Sequence, residues 1–380
     1  MSIVKLGLLL GAAALLPIAY GRLSVDKPAP PASVTTAVAA VLEPVYSVQA
    51  GIDGEIFPAL ADYASLQKPR DRKLATISVH ILNATRQVLK DRVSVEIPGW
   101  SDRETQMVAV APGETRILNF APSFLPRLFA NREITSATAL IVATDASGRR
   151  TYDATLAVRL RPAEDMYWGP QFKYAPFIAA WVTPHDAQVE DILSRAKEFM
   201  PGRRLPGYEP WKDPAAQVRS TFEQARAIYR TLQERGVSYV KSSTTFGQHL
   251  DISERVRFPR ESLNQISANC IDGAVMYASL FENLGMDPVV VLIPGHAYVG
   301  VRESLHSATY LYIETAITGR ATFETAVLSA SRGLAKYRAE QIRRISIAQS
   351  RQQGIYPMPL AASSGQTSTR AAAPYHPAAE

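Results

Sequence analysis

The hydrophobic period of this chain changes after residue 160, and that change limits what it can fold into. Between residues 73 and 160 apolar side chains recur at every second position, whereas in the segments that open at 183, 213 and 269 they recur at three and four. The stretch "KLATISVHILNA" (73–84) sets Ala75, Ile77, Val79 and Ile81 on one side, and Leu74, Thr76, Ser78, His80 and Leu82 on the other. The same alternation returns in "DRVSVEIPG" (91–99), "TQMVAVAPGETRILNFAP" (105–122) and "TSATALIVATDASGRRTYDATLAVRL" (135–160), with turn signals at Pro112-Gly113 and around Asp145, Ser147 and Gly148. Short alternating strands punctuated this way predict an N-terminal antiparallel β-sandwich. A lone strand histidine such as His80 reads as a packed or solvent-facing residue.

Beyond residue 163 the chain reads as helices and strands mixed. "MYWGPQFKYAPFIAAW" (166–181) is rich in aromatic residues and reads as core between two domains. Thr183 can cap a helix with Pro184 in its first turn, and Val189, Ile192, Leu193 and Ala196 share a face. Asp213-Pro214 opens a second helix in which Val218, Phe222, Ala225, Tyr229 and Leu232 recur, until Gly236 ends it. Residues 321–350 read as mostly helical.

A chain of 380 residues is long enough for two domains. Residues 1–21, one lysine before a short apolar run, predict an export signal. Because that run falls short of the ~20 residues that span a bilayer, membrane association through residues 6–20 is the alternative. A Pro/Ala/Val-rich linker follows at 22–47, then an immunoglobulin-like β-sandwich at 48–162 and an α+β domain at 163–350. The tail, 351–380, has few core-forming residues and is expected to be disordered. The formal charge of +6 is scattered along the chain rather than gathered in a stripe, and no phosphate loop or zinc spacing occurs, which argues against nucleic-acid partners. His249, Asp251 and Glu254 have the donor types of a metal cluster, but they read as loop contacts or surface positions. No metal or organic cofactor is expected.

The single cysteine opens the most informative segment, "NCIDGAVMYASLFENLGMDPVVVLIPGHAYVGV" (269–301). Asn269 is a good N-cap, and Asp272 sits where its carboxylate can accept first-turn amide hydrogens. Ile271, Val275, Ala278, Leu280, Phe281 and Leu284 form an apolar stripe, and Gly285 closes the helix. Cys270 is thus in the first turn, where free amides and the helix dipole favour a thiolate, while Asp272 would oppose it if aimed at the sulfur. "PVVVLIP" (288–294), "HAYVGVR" (296–302) and "TYLYIETA" (309–316) read as three strands. A hairpin centred on Leu305 would set Glu314 directly opposite His296, on the same face as Tyr298.

A cysteine becomes a nucleophile when a base can take its proton and a third group orients that base. Cys270, His296 and Glu314 supply those types in that order. The oxyanion needs donors, for which the Cys270 amide, Gln265 and Asn269 are candidates, with Tyr239 and Gln248 left open. Each member also has a plain structural reading: a buried small thiol, an ordinary strand histidine, a solvent-facing glutamate.

The segment 269–301 followed by "YIETA", together with "RVRFPRESL" (255–263), resembles the bacterial branch of the transglutaminase-like superfamily over roughly 210–320. Asp272, Gly273 and Gly285 fit the helix pattern, and Tyr298 answers the aromatic residue usual beside the histidine. Glu314 stands where Asp is more usual. The resemblance implies a papain-like α+β domain in which Cys270 is the nucleophile, His296 the base and Glu314 the acidic partner. It implies an exported cysteine hydrolase acting on protein or peptide carboxamides through a thioester, most simply a peptidase. An inactive scaffold or binding module and a protein-glutamine amine transferase are the alternatives.

Overall fold

Strict alternation of apolar residues builds the first half of the protein. The computed structural model describes residues 43–241 and 252–360. The expected export segment, most of the linker, Gln248, His249 and Asp251, and the tail from 361 lie outside them. In chain order the first elements are β1 (Val45–Ala50), β2 (Glu55–Ile56), α1 (Pro58–Ser65), β3 (Ile77–Leu82), β4 (Leu89–Glu96), β5 (Glu104–Val110), β6 (Thr115–Phe120), α2 (Pro126–Phe129), β7 (Thr135–Asp145) and β8 (Arg150–Leu160).

Strands β1, β3 and β6 form one antiparallel sheet. The other runs β2-β8-β7-β4-β5, with the short β2–β8 pair parallel and the rest antiparallel. Ile77, Val79, Ile81 and Phe120 of the first sheet and Val93, Val95, Ile141 and Val158 of the second belong to one buried cluster. Each such side chain contributes about 1.5–3 kcal/mol through removal from water. The Pro112-Gly113 turn, with Gly113 at a φ of +76°, carries the chain from one sheet into the other. Strand β1 corrects the expected linker, which ends before Val45. Its half-buried alternation pairs fully with β3, although the Pro- and Ala-rich stretch before it looks like tether.

The second half adds β9 (Asp165–Tyr167), α3 (Ala187–Ala196), α4 (Pro214–Glu234), β10 (Ser238–Tyr239), β11 (Ser253–Arg255), α5 (Pro259–Gln265), β12 (Ser267–Ala268), α6 (Cys270–Asn283), β13 (Pro288–Ile293), β14 (His296–Arg302), β15 (Tyr310–Ile313), α7 (Phe323–Leu334), β16 (Arg343–Ser346) and α8 (Ile347–Gln352). The architecture is mixed α+β, an N-terminal sheet region followed by helices around an antiparallel sheet. That sheet runs β15-β14-β13-β16 and is covered on both faces. Val290, Ala297, Val299 and Ile313 join the main core with α6, while Val289, Val291 and Tyr298 pack with Ala330 and Leu334 of α7.

Several boundaries differ from expectation. Helix α3 is capped by Asp186, whose carboxylate accepts the Gln188 amide at 2.9 Å, not by Thr183; its buried face is the expected one. Helix α6 carries more than a stripe, being buried all round from Ile271 to Phe281. Strand β16, "RRIS", falls within the stretch expected to be helical; it is short, arginine-rich and at a sheet edge. Residues 351–360 are ordered rather than tail, since α8 runs into a segment in which Ile355 and Met358 are buried and the Met358 amide donates to Ala180 at 2.9 Å.

The described residues belong to one compact unit, so residue 162 marks a joint inside a single body. The aromatic stretch fills this joint as expected. Phe57 stacks on Tyr167 with ring centroids 4.8 Å apart, Tyr63 meets Phe177 edge-on at 5.0 Å, and Trp181 is wholly buried. Arg161, also wholly buried, sits between Glu55 and Asp165, 2.6 Å from the latter. Burial raises the Asp165 carboxyl to about 6 against the pull of that arginine.

Candidate thiol site

Residue Cys270 is the first residue of α6, half-buried at the mouth of a cleft. Asn269 caps the helix: its Oδ1 accepts the Asp272 amide at 2.8 Å, and Asp272 Oδ2 accepts the Asn269 amide at 3.2 Å. This reciprocal pair leaves the first-turn amides of Cys270 and Ile271 unused by the cap.

The remaining acceptor capacity of Asp272 goes to Arg257. Its carboxylate, wholly buried, takes the Arg257 amide and Nε, each at 2.8 Å. Asp272 is therefore anchored to a buried guanidinium, and its negative charge is matched. Nothing in the period or capping signals singled out Arg257. The one signal available was a basic residue between the apolar Val256 and Phe258.

Opposite the helix start, His296 opens β14. Its Nε2 lies 2.7 Å from Glu314 Oε2, and the ring lines the same cleft as Cys270. Burial lowers the imidazole pKa. The Cys270 sulfur and the Glu314 carboxylate beside it outweigh this and push the ring up to about 10. Glu314 is buried, and its second oxygen accepts the Ala316 amide at 3.0 Å, capping the 3₁₀ turn Thr315–Ile317.

The hairpin register differs from the expected one. Val299 faces Ile313 and Gly300 faces Tyr312, so Glu314, just past the end of β15, falls level with Tyr298 rather than His296. A two-residue shift keeps the same face, and the carboxylate reaches the ring along the diagonal. Tyr298 stands edge-on to the imidazole with centroids 4.7 Å apart. Gly273 is required nearby: a Cβ there would lie 2.5 Å from Thr315 Oγ1, so only glycine lets the Glu314–Ile317 segment lie against α6.

Two clefts meet at His296. One, of 350 Å³, is lined by Trp168, Phe172, Glu254, Cys270, Ile293 and His296. The other, of 640 Å³, includes Tyr239, His296, Glu314 and Arg320. Burial, then the charges of Cys270 and Glu314, raise the Tyr239 phenol. Asn269 adjoins the thiol, but its Nδ2 is buried and has no hydrogen-bond partner. Gln265 accepts from Arg257 Nη1 at 2.6 Å and lines a separate 690 Å³ cavity with Arg132, Glu164, Arg255 and Glu261. That larger cavity is ringed by mutual ion pairs and lacks the thiol.

The sequence reading missed Glu254 as part of the cleft. It lies on β11, not in a loop, and burial followed by the charge of Asp272 raises its carboxyl to about 7, against a hydrogen bond from Trp168. Among the described residues no group of three or more His, Cys, Asp and Glu could hold a metal ion.

No family model and no curated protein matches the chain. Among solved structures it is similar to a FixG-related protein from Vibrio parahaemolyticus, at 16% identity and a TM-score of 0.19, over 31% of this chain and 95% of that one. It is also similar to the ApaA protein from Bordetella pertussis, at 14% identity and a TM-score of 0.16, over 32% of this chain and 94% of that one. Similarity this low carries no argument about fold or function, and the functional reading rests on the site.

Proposed function

We propose that the protein is a thiol hydrolase of protein or peptide carboxamides, most simply a peptidase, with a papain-like, transglutaminase-like α+β domain. Cys270 is its nucleophile, His296 its base and acid, and Glu314 the group that orients the ring. The observation that carries this reading is a single imidazole hydrogen-bonded to a buried carboxylate and lining one open cleft with the only thiol. A central helix starting at the thiol, packed on an antiparallel sheet that presents the other two groups, is the arrangement such chemistry needs.

With the imidazole pushed up to about 10, His296 is an imidazolium at neutral pH, the partner a thiolate nucleophile needs. The thiolate attacks the carboxamide carbonyl, forming a C–S bond, and the electron pair moves to oxygen. The first-turn amides of Cys270 and Ile271 are the nearest donors for that oxyanion. As the C–N bond breaks, His296 gives its proton to the leaving nitrogen. It then takes a proton from water, which attacks the thioester and releases the acid and the thiolate.

The test compares iodoacetamide labelling at pH 7 for the wild type, Cys270→Ala and His296→Ala. Labelling of Cys270 faster than free cysteine, with the excess lost in His296→Ala, supports the reading. Equal rates would point to a non-catalytic binding module. Turnover of a peptide library by the wild type, without incorporation of a fluorescent primary amine, separates hydrolysis from amine transfer.

A further inference from the structure

Glu254 is a carboxyl in the thiol cleft that the chemistry above leaves unused. Strand β11 pairs antiparallel with β9, with Glu254 opposite Met166 and Arg255 opposite Asp165. Alternation along β11 sends the two side chains to opposite sides. Arg255 goes to Glu164, and Glu254 goes into the cleft that holds Cys270 and His296. Trp168 and Phe172, with ring centroids 5.8 Å apart, line the same cleft.

The cations around Glu254 are committed elsewhere. Arg257 holds Asp272, and His296 holds Glu314. Arg343 stacks over Phe172 at 5.2 Å and donates to the Gln171 carbonyl. Among the described residues no cation pairs with Glu254, and the indole of Trp168 lines the cleft beside it. A half-buried carboxylate that no described cation pairs with, beside two aromatic rings, is a site for a cation brought by a ligand.

We propose that the cleft selects carboxamides whose acyl part carries an ammonium or guanidinium group, and that Glu254 is the residue that recognises it. This inference rests on Cys270 being the reacting group. The charged and titratable groups facing Glu254 are Asp272 and Cys270 from α6, His296 from β14 and Tyr239 from β10. Asp272 is paired with Arg257, and burial with the charge of Asp272 raises the Glu254 carboxyl to about 7.

The test uses the purified full chain and three methanethiosulfonates: a trimethylammonium-ethyl, a sulfonatoethyl and a neutral methyl reagent. In each, the Cys270 thiolate attacks the sulfenyl sulfur, a disulfide forms and methanesulfinate leaves, so no turnover is needed. With rates normalised to the neutral reagent, the wild type should prefer the cation over the anion by about tenfold or more at pH 8. Glu254→Gln should lose most of that preference and Glu254→Asp should keep part of it. In the wild type the preference should grow as pH rises through about 7, where this carboxyl ionises. An equal preference in wild type and Glu254→Gln overturns the proposal. Should that variant not fold, a wild-type preference that is flat from pH 5.5 to 8.5 overturns it as well. Charge preference without peptide turnover would sink the hydrolase reading alone, whereas turnover without charge preference would sink this one alone.

Discussion

Glu314 reaches His296 along a diagonal of the β14–β15 hairpin, with Oε2 2.7 Å from Nε2 although the strand register sets it level with Tyr298. The longer glutamate side chain suits that diagonal, and an aspartate at the same backbone position would stop short by one methylene. Glu314→Asp should therefore behave like Glu314→Gln rather than like the wild type. We expect both to lower the iodoacetamide rate of Cys270 at pH 7 by about tenfold or more, since a misoriented base loses general-base efficiency. An Asp variant that labels at the wild-type rate would mean that the charge alone, not its reach, supports the ring.

The residues of the candidate site were legible because each follows a local rule. Asn269 and Asp272 obey capping chemistry, and alternation put His296, Tyr298 and Glu314 on one side of their strands. The hairpin register was not legible. A two-residue slip preserves every side-chain orientation, so the hydrophobic pattern does not distinguish the two registers. Residues Arg257 and Glu254 were missed for a related reason: both act across elements far apart in sequence. Burial of an ion pair or of a lone carboxyl leaves no periodic trace. Strand β16 escaped because two of its four residues are arginine, and β1 because proline- and alanine-rich chain precedes it.

The Arg257–Asp272 pair should be the stability anchor of the thiol helix. Both side chains are almost fully buried, and Asp272 also takes the Asn269 amide. Arg257→Met keeps much of the side-chain volume but leaves a buried carboxylate without its countercharge, which costs about 3–5 kcal/mol. Urea unfolding of Arg257→Met should show a loss of that order. The double variant Arg257→Met/Asp272→Asn should recover part of it. A single variant within 1 kcal/mol of wild type, on the scale of ordinary surface changes (about 0.5 kcal/mol), would show that water reaches the carboxylate.

Gly273 should tolerate no side chain. A methyl group there meets Thr315 Oγ1 at 2.5 Å and Thr315 Cβ at 2.9 Å. Gly273→Ala must push the Thr315 segment off α6, and overpacking of this kind costs about 1–3 kcal/mol. Because Glu314 precedes the displaced residue, the same change should also slow thiol labelling. Thermal unfolding and labelling measured on one preparation check both effects. Thr315→Gly in the Gly273→Ala background should restore labelling more than it restores stability, since the added glycine loosens the turn.

The imidazole of His296 links stability to pH with a definite sign. Its folded pKa of about 10 lies above the unfolded value of 6.5, so the folded protein holds a proton that the unfolded chain gives up. The contribution is fully present below pH 6.5, declines as pH rises and is lost above about 10. Burial works against it, so the neighbouring Cys270 sulfur and Glu314 carboxylate must sustain it. In His296→Gln, which cannot be protonated, the deficit in melting temperature relative to wild type should be largest at pH 6 and should close as pH approaches 10.5. A deficit that widens over that range would mean that the folded state prefers the neutral ring and that His296 is not an imidazolium at neutral pH.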